Sequence, residues 1–254
     1  MDYVVENGKI WDNRAESNDK WSTPVTSEMI QLAKNDNWSI VLTPSKPVPR
    51  GWFPEVIKSK KVLCLAGGGG QQGPIIAALG ADVTVFDNSE KQLDKDEFVA
   101  KRDGLNIKTV QGDMKDLSVF DDEYFDFIIH PWSNGYVDTV LPVWNECSRV
   151  LKKNGILIAG FGNPIECIFD VGELDKGNFV VKNKIPYSDL EHLDDETLVS
   201  ICQEDGYIFG HTLTDQIQGQ IDAGFAIVGF YEDTGGSALD QYIYSSIATK
   251  AIKL

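Results

Sequence analysis

No two of the four cysteines, Cys64, Cys147, Cys167 and Cys202, form a Cys-x-x-Cys pair. Neither a disulfide framework nor a cysteine-built zinc site is suggested, and reduced, mostly buried thiols are expected. Histidine is as scarce: His130, His192 and His211 are the whole set, no metal-ligand spacing is visible, and no metal is expected. No segment approaches the roughly 20 apolar residues that cross a bilayer. The N-terminal MDYVVENGKI lacks the basic-then-apolar order of a signal peptide, so a cytoplasmic protein without a membrane partner is expected. Positive charge is also short, with 23 Lys and Arg against 39 Asp and Glu and a net charge of −16. Basic residues come only in pairs such as Lys60-Lys61 and Lys152-Lys153. Nucleic acid is therefore not expected as a partner, because its affinity comes largely from Lys and Arg neutralising phosphates.

Gly/Ser linkers, low-complexity tracts and internal repeats are missing as well, so residues 1–254 read as one domain. With 42% hydrophobic residues that domain can build a substantial core. Four of the tryptophans, Trp11, Trp21, Trp38 and Trp52, fall within residues 1–60, beside the proline-rich run from Thr43 to Pro49. Proline rules out helix or central strand there. Ser22-Thr23-Pro24 reads as a helix start with Val25, Met29 and Leu32 on one face, followed by an extended aromatic arm.

From Lys61 the pattern alternates. Strands are read at Lys61 to Ala66, Ala81 to Asp87, Ile107 to Gln111, Phe125 to His130 and Gly155 to Phe161, with helices at Pro74 to Leu79, Glu90 to Arg102 and Val140 to Leu151. Such alternation predicts an α/β fold, a Rossmann-like, doubly wound, mainly parallel sheet with ligands at the carboxyl ends of its strands. Residues 61–162 form this core. Residues 163–212 read as an inserted lid containing an extended piece, Asn178 to Ile185. Residues 213–254 close the domain with strands at Phe225 to Tyr231 and Tyr242 to Ala251, a pair able to run antiparallel.

The chemistry-bearing residues cluster at one sheet edge. The run Gly67-Gly68-Gly69-Gly70-Gln71-Gln72-Gly73 follows a buried strand and opens a helix, so backbone can approach a ligand closely and helix N–H groups face an anion. Gly68, Gly70 and Gly73 also fit the G-x-G-x-x-G dinucleotide fingerprint; an unliganded tight turn is the plain alternative. Asp87 ends the second strand, where a carboxylate accepts from both hydroxyls of a ribose, NAD or adenosylmethionine alike. Asp87-Asn88-Ser89 also reads as a helix cap. Gln111-Gly112-Asp113-Met114 brings an acceptor and an apolar side chain suited to an adenine.

Taken in order, these pieces together with Phe125 to His130 and Glu146 to Leu157 resemble the class I S-adenosylmethionine-dependent methyltransferases of type 11, most nearly an uncharacterised bacterial branch marked by the Gly-Gly-Gly-Gln-Gln loop. The resemblance implies a seven-stranded sheet whose closing antiparallel pair distinguishes it from dehydrogenases. It implies S-adenosyl-L-methionine as cofactor, with the methionine moiety on Ala66, Gly67, Gly68, Gly69 and Gly70, the ribose on Asp87 and Asn88, and the adenine on Gly112, Asp113 and Met114. Two positions depart from the family pattern: Cys64 stands where an acidic residue is usual and Ala66 where the first glycine is. Gln71 and Gln72 are candidate replacement contacts, or side-chain caps of the helix.

His130 is the candidate general base and a cofactor neighbour; a structural histidine is the alternative. Trp132, Ser133, Asn134 and His211 are the candidate acceptor pocket. The Asn/Asp-Pro-Pro-Tyr pattern of nucleobase amino methyltransferases is absent. The reading is methyl transfer to an unidentified acceptor, expected to be a small molecule. An NAD(P)-dependent oxidoreductase, lacking an evident Tyr-x-x-x-Lys pair, and a non-catalytic S-adenosylmethionine-binding regulator are the alternatives.

Overall fold

A computed structural model describes residues 2–17, 19–194, 197–198 and 205–254; Cys202 lies outside the described residues. The apolar runs become parallel strands β1 (Lys61–Leu65), β2 (Asp82–Asp87), β3 (Ile107–Gln111), β4 (Phe125–His130) and β5 (Leu151–Gly162). A small antiparallel pair, β6 (Tyr187–Ser188) and β7 (Phe209–Gly210), forms a separate sheet. The chain closes with β8 (Phe225–Asp233) and β9 (Ser246–Lys253). The large sheet has seven strands in the order β3-β2-β1-β4-β5-β9-β8, and β9 runs antiparallel to both β5 and β8. The expected doubly wound sheet with a reversed closing pair is what forms. β9 starts at Ser246, four residues later than expected, because Asp240 accepts from Gly236 N and Ser245 Oγ and folds the preceding stretch into a turn.

Strand alternation assigns the two faces. Val62 and Cys64 join one buried cluster with Ile76, Val85 and Phe127, whereas Leu63 and Leu65 join the other with Phe125, Trp144 and Leu157. Both faces of β1 are covered, which is why it reads as an unbroken apolar run. Helices α1 (Tyr3–Glu16), α2 (Ser27–Lys34), α3 (Gln72–Ala78), α4 (Glu90–Asp103) and α5 (Leu141–Val150) flank the sheet. α4 starts at the Ser89 cap, whose hydroxyl accepts from Gln92 N, and ends at Gly104, whose φ of 65° suits glycine.

The N-terminal region departs from expectation twice. α1 was not expected, because its buried residues are Asn7, Gly8, Ile10 and Ala15, a mostly small and polar face with no apolar period to detect. It packs on α4 instead through hydrogen bonds: Asp12 accepts from Ser89 Oγ and Lys91 N. α2 starts at the Thr26 cap rather than at Pro24. Ile30 and Ala33 face the core, while Met29 and Leu32 are exposed. The arm that follows is extended and aromatic, with Trp38 edge-on to Phe53 and Trp52 against Tyr231. In the lid, the expected extended piece Asn178 to Ile185 is not a strand; Val181 alone bridges to Phe169. Helical turns at Pro164–Ile168 and Val171–Leu174 precede it. Among the described residues no helix is long and apolar enough to cross a membrane.

Candidate active site

The carboxyl ends of β1, β2, β3 and β4 open into a cavity of about 800 Å³, within the size range of small-molecule sites. Its floor is the turn between β1 and α3. Ala66, Gly67 and Gly68 line the cavity, and a side chain at Gly68 would come within 2.8 Å of Gln92 Cβ and 3.1 Å of Asp87 Oδ2. Gly69 and Gly70, at φ of 109° and 72°, turn the other way. Their N–H groups both donate to Asp96 Oδ2, each at 3.0 Å, so they shape the loop and do not line the cavity.

Asp96 is fully buried on α4, and its Oδ1 has no hydrogen-bond partner. Burial, with Asp87 nearby, pushes its carboxyl up to about 8. It escaped the sequence reading, although a signal existed: Gln92, Leu93, Asp96 and Val99 form the buried face of α4, and a charged residue on such a face asks for a partner.

Asp87 ends β2 with Oδ2 accepting from Gly68 N at 2.9 Å and Oδ1 from Ser89 N at 3.0 Å. Burial raises its carboxyl above the ordinary range, against the lowering by these backbone donors. It lines the cavity beside Asn88, Gly112, Asp113 and Met114. Only glycine fits at 112, since a Cβ there would meet the Phe86 ring at 2.4 Å. Gln71 and Gln72 also line the cavity but tether the arm and do not cap α3: Gln71 Nε2 donates to the carbonyls of Lys20 and Thr23, and Gln72 Nε2 to that of Val41.

A roof that the sequence reading missed comes from α1. Asn7 and Trp11 face the cavity. The Asn7 amide accepts from Tyr207 N at 2.7 Å and donates to the carbonyls of Tyr207 and Tyr136. Gln92 Nε2 donates to the Trp11 carbonyl. One helix thus ties the start of α4 to the Tyr136 and Tyr207 segments across the cavity.

Of the candidate acceptor residues, Trp132 and Ser133 line the cavity, whereas His130, Asn134 and His211 do not. His130 is fully buried behind the wall, edge-on to Trp144. Its Nδ1 lies 2.9 Å from the Leu65 carbonyl and its Nε2 2.6 Å from the Asn134 amide. Burial lowers its pKa. Both ring nitrogens face oxygens, the Leu65 carbonyl and Asn134 Oδ1, and the Asn134 Nδ2 donates onward to Gln216 Oε1. Asn134 is held in turn by Gln216, and His211 bonds the Asn134 carbonyl. This buried polar chain fixes the β4 end and keeps the His130 ring off the cavity lining. Glu166 also lines the cavity, with Asp175, Asp189 and Asp205 of the same segment; it is invisible as a motif because a single glutamate in an irregular segment carries no pattern.

Comparison with known proteins agrees with this geometry. A family model described as a methyltransferase domain matches residues 63–159. The chain is 54% identical over 252 residues, 99% of its length and 98% of the relative's, to the uncharacterized methyltransferase YbaJ of Bacillus subtilis strain 168. Among solved structures it is similar to an S-adenosylmethionine-dependent methyltransferase of Mesorhizobium loti, with a TM-score of 0.60 at 17% identity over 80% of this chain and 95% of that one. It is also similar to the cyclase SpnF, with a TM-score of 0.62 at 14% identity over 98% of this chain and 96% of that one.

Proposed function

This chain belongs to the S-adenosylmethionine-dependent methyltransferases, and we propose that its cofactor lies across the carboxyl edge of β1, β2 and β3 while a small-molecule acceptor enters under the lid. The observation that carries the placement is the juxtaposition of a side-chain-free floor, Gly67 and Gly68, with the Asp87 carboxylate in one cavity. Asp87 would take the ribose hydroxyls, Ala66 to Gly68 the methionine moiety, and Gly112 to Met114 the adenine. When bound, the cofactor supplies an electrophilic methyl on a sulfonium. The protein's part is to exclude water and to hold the acceptor atom in line. α1 and the lid supply the first through the Asn7 amide, and Trp132 with the residues under the lid supply the second. The oxidoreductase alternative gains nothing from the structure, since the last strand β9 is antiparallel between β5 and β8.

The ribose assignment is tested by Asp87→Ala. Loss of the acceptor should weaken S-adenosylmethionine binding about 10- to 100-fold, the equivalent of roughly 1–3 kcal/mol for stranded hydrogen-bonding groups. Equilibrium titration measures this, and an unchanged affinity removes Asp87 from the cofactor site.

A further inference from the structure

The lid side of the cavity is poor in positive charge and rich in aromatic rings. Arg14 and Lys20 are the basic residues among the described lining. Arg14 is paired with Asp205, and the Lys20 ammonium sits 4.6 Å over the Trp21 ring. Trp132, Phe169 and Tyr187 present aromatic surface to the same cavity. Four carboxylates of residues 163–212 line the cavity with them, Glu166, Asp175, Asp189 and Asp205, and they differ: Asp205 holds Arg14 and Asp175 is exposed to solvent. Asp189 is spent, accepting from the Tyr187 hydroxyl and from Ile208 N, each at 2.7 Å. Glu166 is not: it sits beside the Ser237 hydroxyl, and no cation among the described residues pairs with it.

Glu166 is also rigidly placed. Its turn, Pro164–Ile168, starts two residues after β5 ends at Gly162, on the Asn163 cap, whose Oδ1 accepts from Ile165 N. Asn163 is itself fixed to the 244–245 turn by its side chain and backbone N–H, which donate to the Tyr244 and Ser245 carbonyls. A held, half-buried carboxylate without a counter-ion, in a cavity with aromatic walls, is the chemistry that stabilises an ammonium ion. A phosphorylated or carboxylate ligand would be repelled by the same group, which no cation among the described residues pairs with.

We propose that the methyl acceptor is an amine, bound as its ammonium form by Glu166 against the aromatic wall. This rests on the methyltransferase reading above and names the substrate class of that same cavity. The transfer then balances simply. The ammonium gives a proton to the Glu166 carboxylate, the freed nitrogen lone pair bonds to the methyl carbon as the carbon–sulfur bond breaks, and S-adenosylhomocysteine leaves. Burial raises the Glu166 carboxyl above its ordinary range, the direction that suits a proton acceptor from an amine.

The test separates the two layers. The protein is first saturated with S-adenosylhomocysteine, then titrated with phenethylamine, phenethyl alcohol and phenylacetate, probes alike in ring and different in charge. Phenethylamine should bind at least about tenfold tighter than the alcohol, and phenylacetate weaker than either. Glu166→Gln should bring the amine to the level of the alcohol while leaving S-adenosylhomocysteine affinity within about twofold. Equal or absent binding of the amine, or an amine preference that survives Glu166→Gln, overturns the proposal. Failure of S-adenosylhomocysteine to bind at the first step faults the cofactor placement instead.

Discussion

Asp96→Ala is expected to cost roughly 1–3 kcal/mol of stability, because it strands the buried Gly70 N–H, whereas the Gly69 N–H keeps the Gln92 carbonyl as acceptor. The loop that these groups shape is the cavity floor, so S-adenosylmethionine affinity should fall with stability. Asp96→Asn keeps an acceptor oxygen at the same place and carries no charge. It should match wild type below pH 3.8, where the carboxyl is protonated whether folded or unfolded, and be the more stable of the two at neutral pH, because burial pushes the Asp96 carboxyl up to about 8. Denaturant unfolding of the three proteins decides this. If Asn costs as much as Ala, a charged Asp96 is what the loop requires.

The raised value has a sign that can be checked. Asp96 binds its proton in the folded state up to about pH 8, whereas the unfolded carboxyl loses it near the ordinary value of 3.8. Its contribution is therefore fully present below pH 3.8 and is lost as pH rises toward 8. The stability difference between wild type and Asp96→Asn should drift against wild type across that window. A difference curve flat in pH would contradict the buried-acid account.

His130→Ala should also be severe, about 3–5 kcal/mol, the loss usual for emptying a large buried ring site. It removes the bond to the Leu65 carbonyl at 2.9 Å and the contact with the Asn134 amide at 2.6 Å. Here the pH dependence has the opposite sign. Burial depresses the folded pKa of His130 below the ordinary value of 6.5, so its stabilisation is present above that pH and is lost as pH falls below it. His130→Ala should lack this acidic loss. A variant that kept wild-type stability but lost all turnover would restore His130 as a base and contradict its placement behind the cavity wall.

The parts of the fold written in apolar period were legible. β1, β2 and β4 were read within a residue or so because their runs are buried on both faces, and the Ser89 cap and Gly104 stop bound α4. α1 was not, since Asn7 and Gly8 occupy its inner face and amide hydrogen bonds, not apolar area, hold it down. The cofactor half of the site followed from residues whose chemistry is local: Asp87 lies at a strand end, and Gly67 and Gly68 need no side chain. The misread residues depended on which way the chain turned. Gly69 and Gly70 face Asp96 because of their positive φ, and His130 points into the domain because Asn134, four residues on, folds back beneath it. The acceptor half was illegible for a different reason: Glu166, Trp132 and Tyr187 come from three separate segments that only the tertiary fold brings to one cavity.

The central claim is that the cavity over Gly67, Gly68 and Asp87 binds the methyl donor, and calorimetric titration with S-adenosylmethionine, S-adenosylhomocysteine, NAD and NADP under one set of conditions tests it most directly. Binding of the first two in the micromolar range, with no heat from the nicotinamide cofactors, is the expected result. Selective binding of NAD or NADP would contradict it.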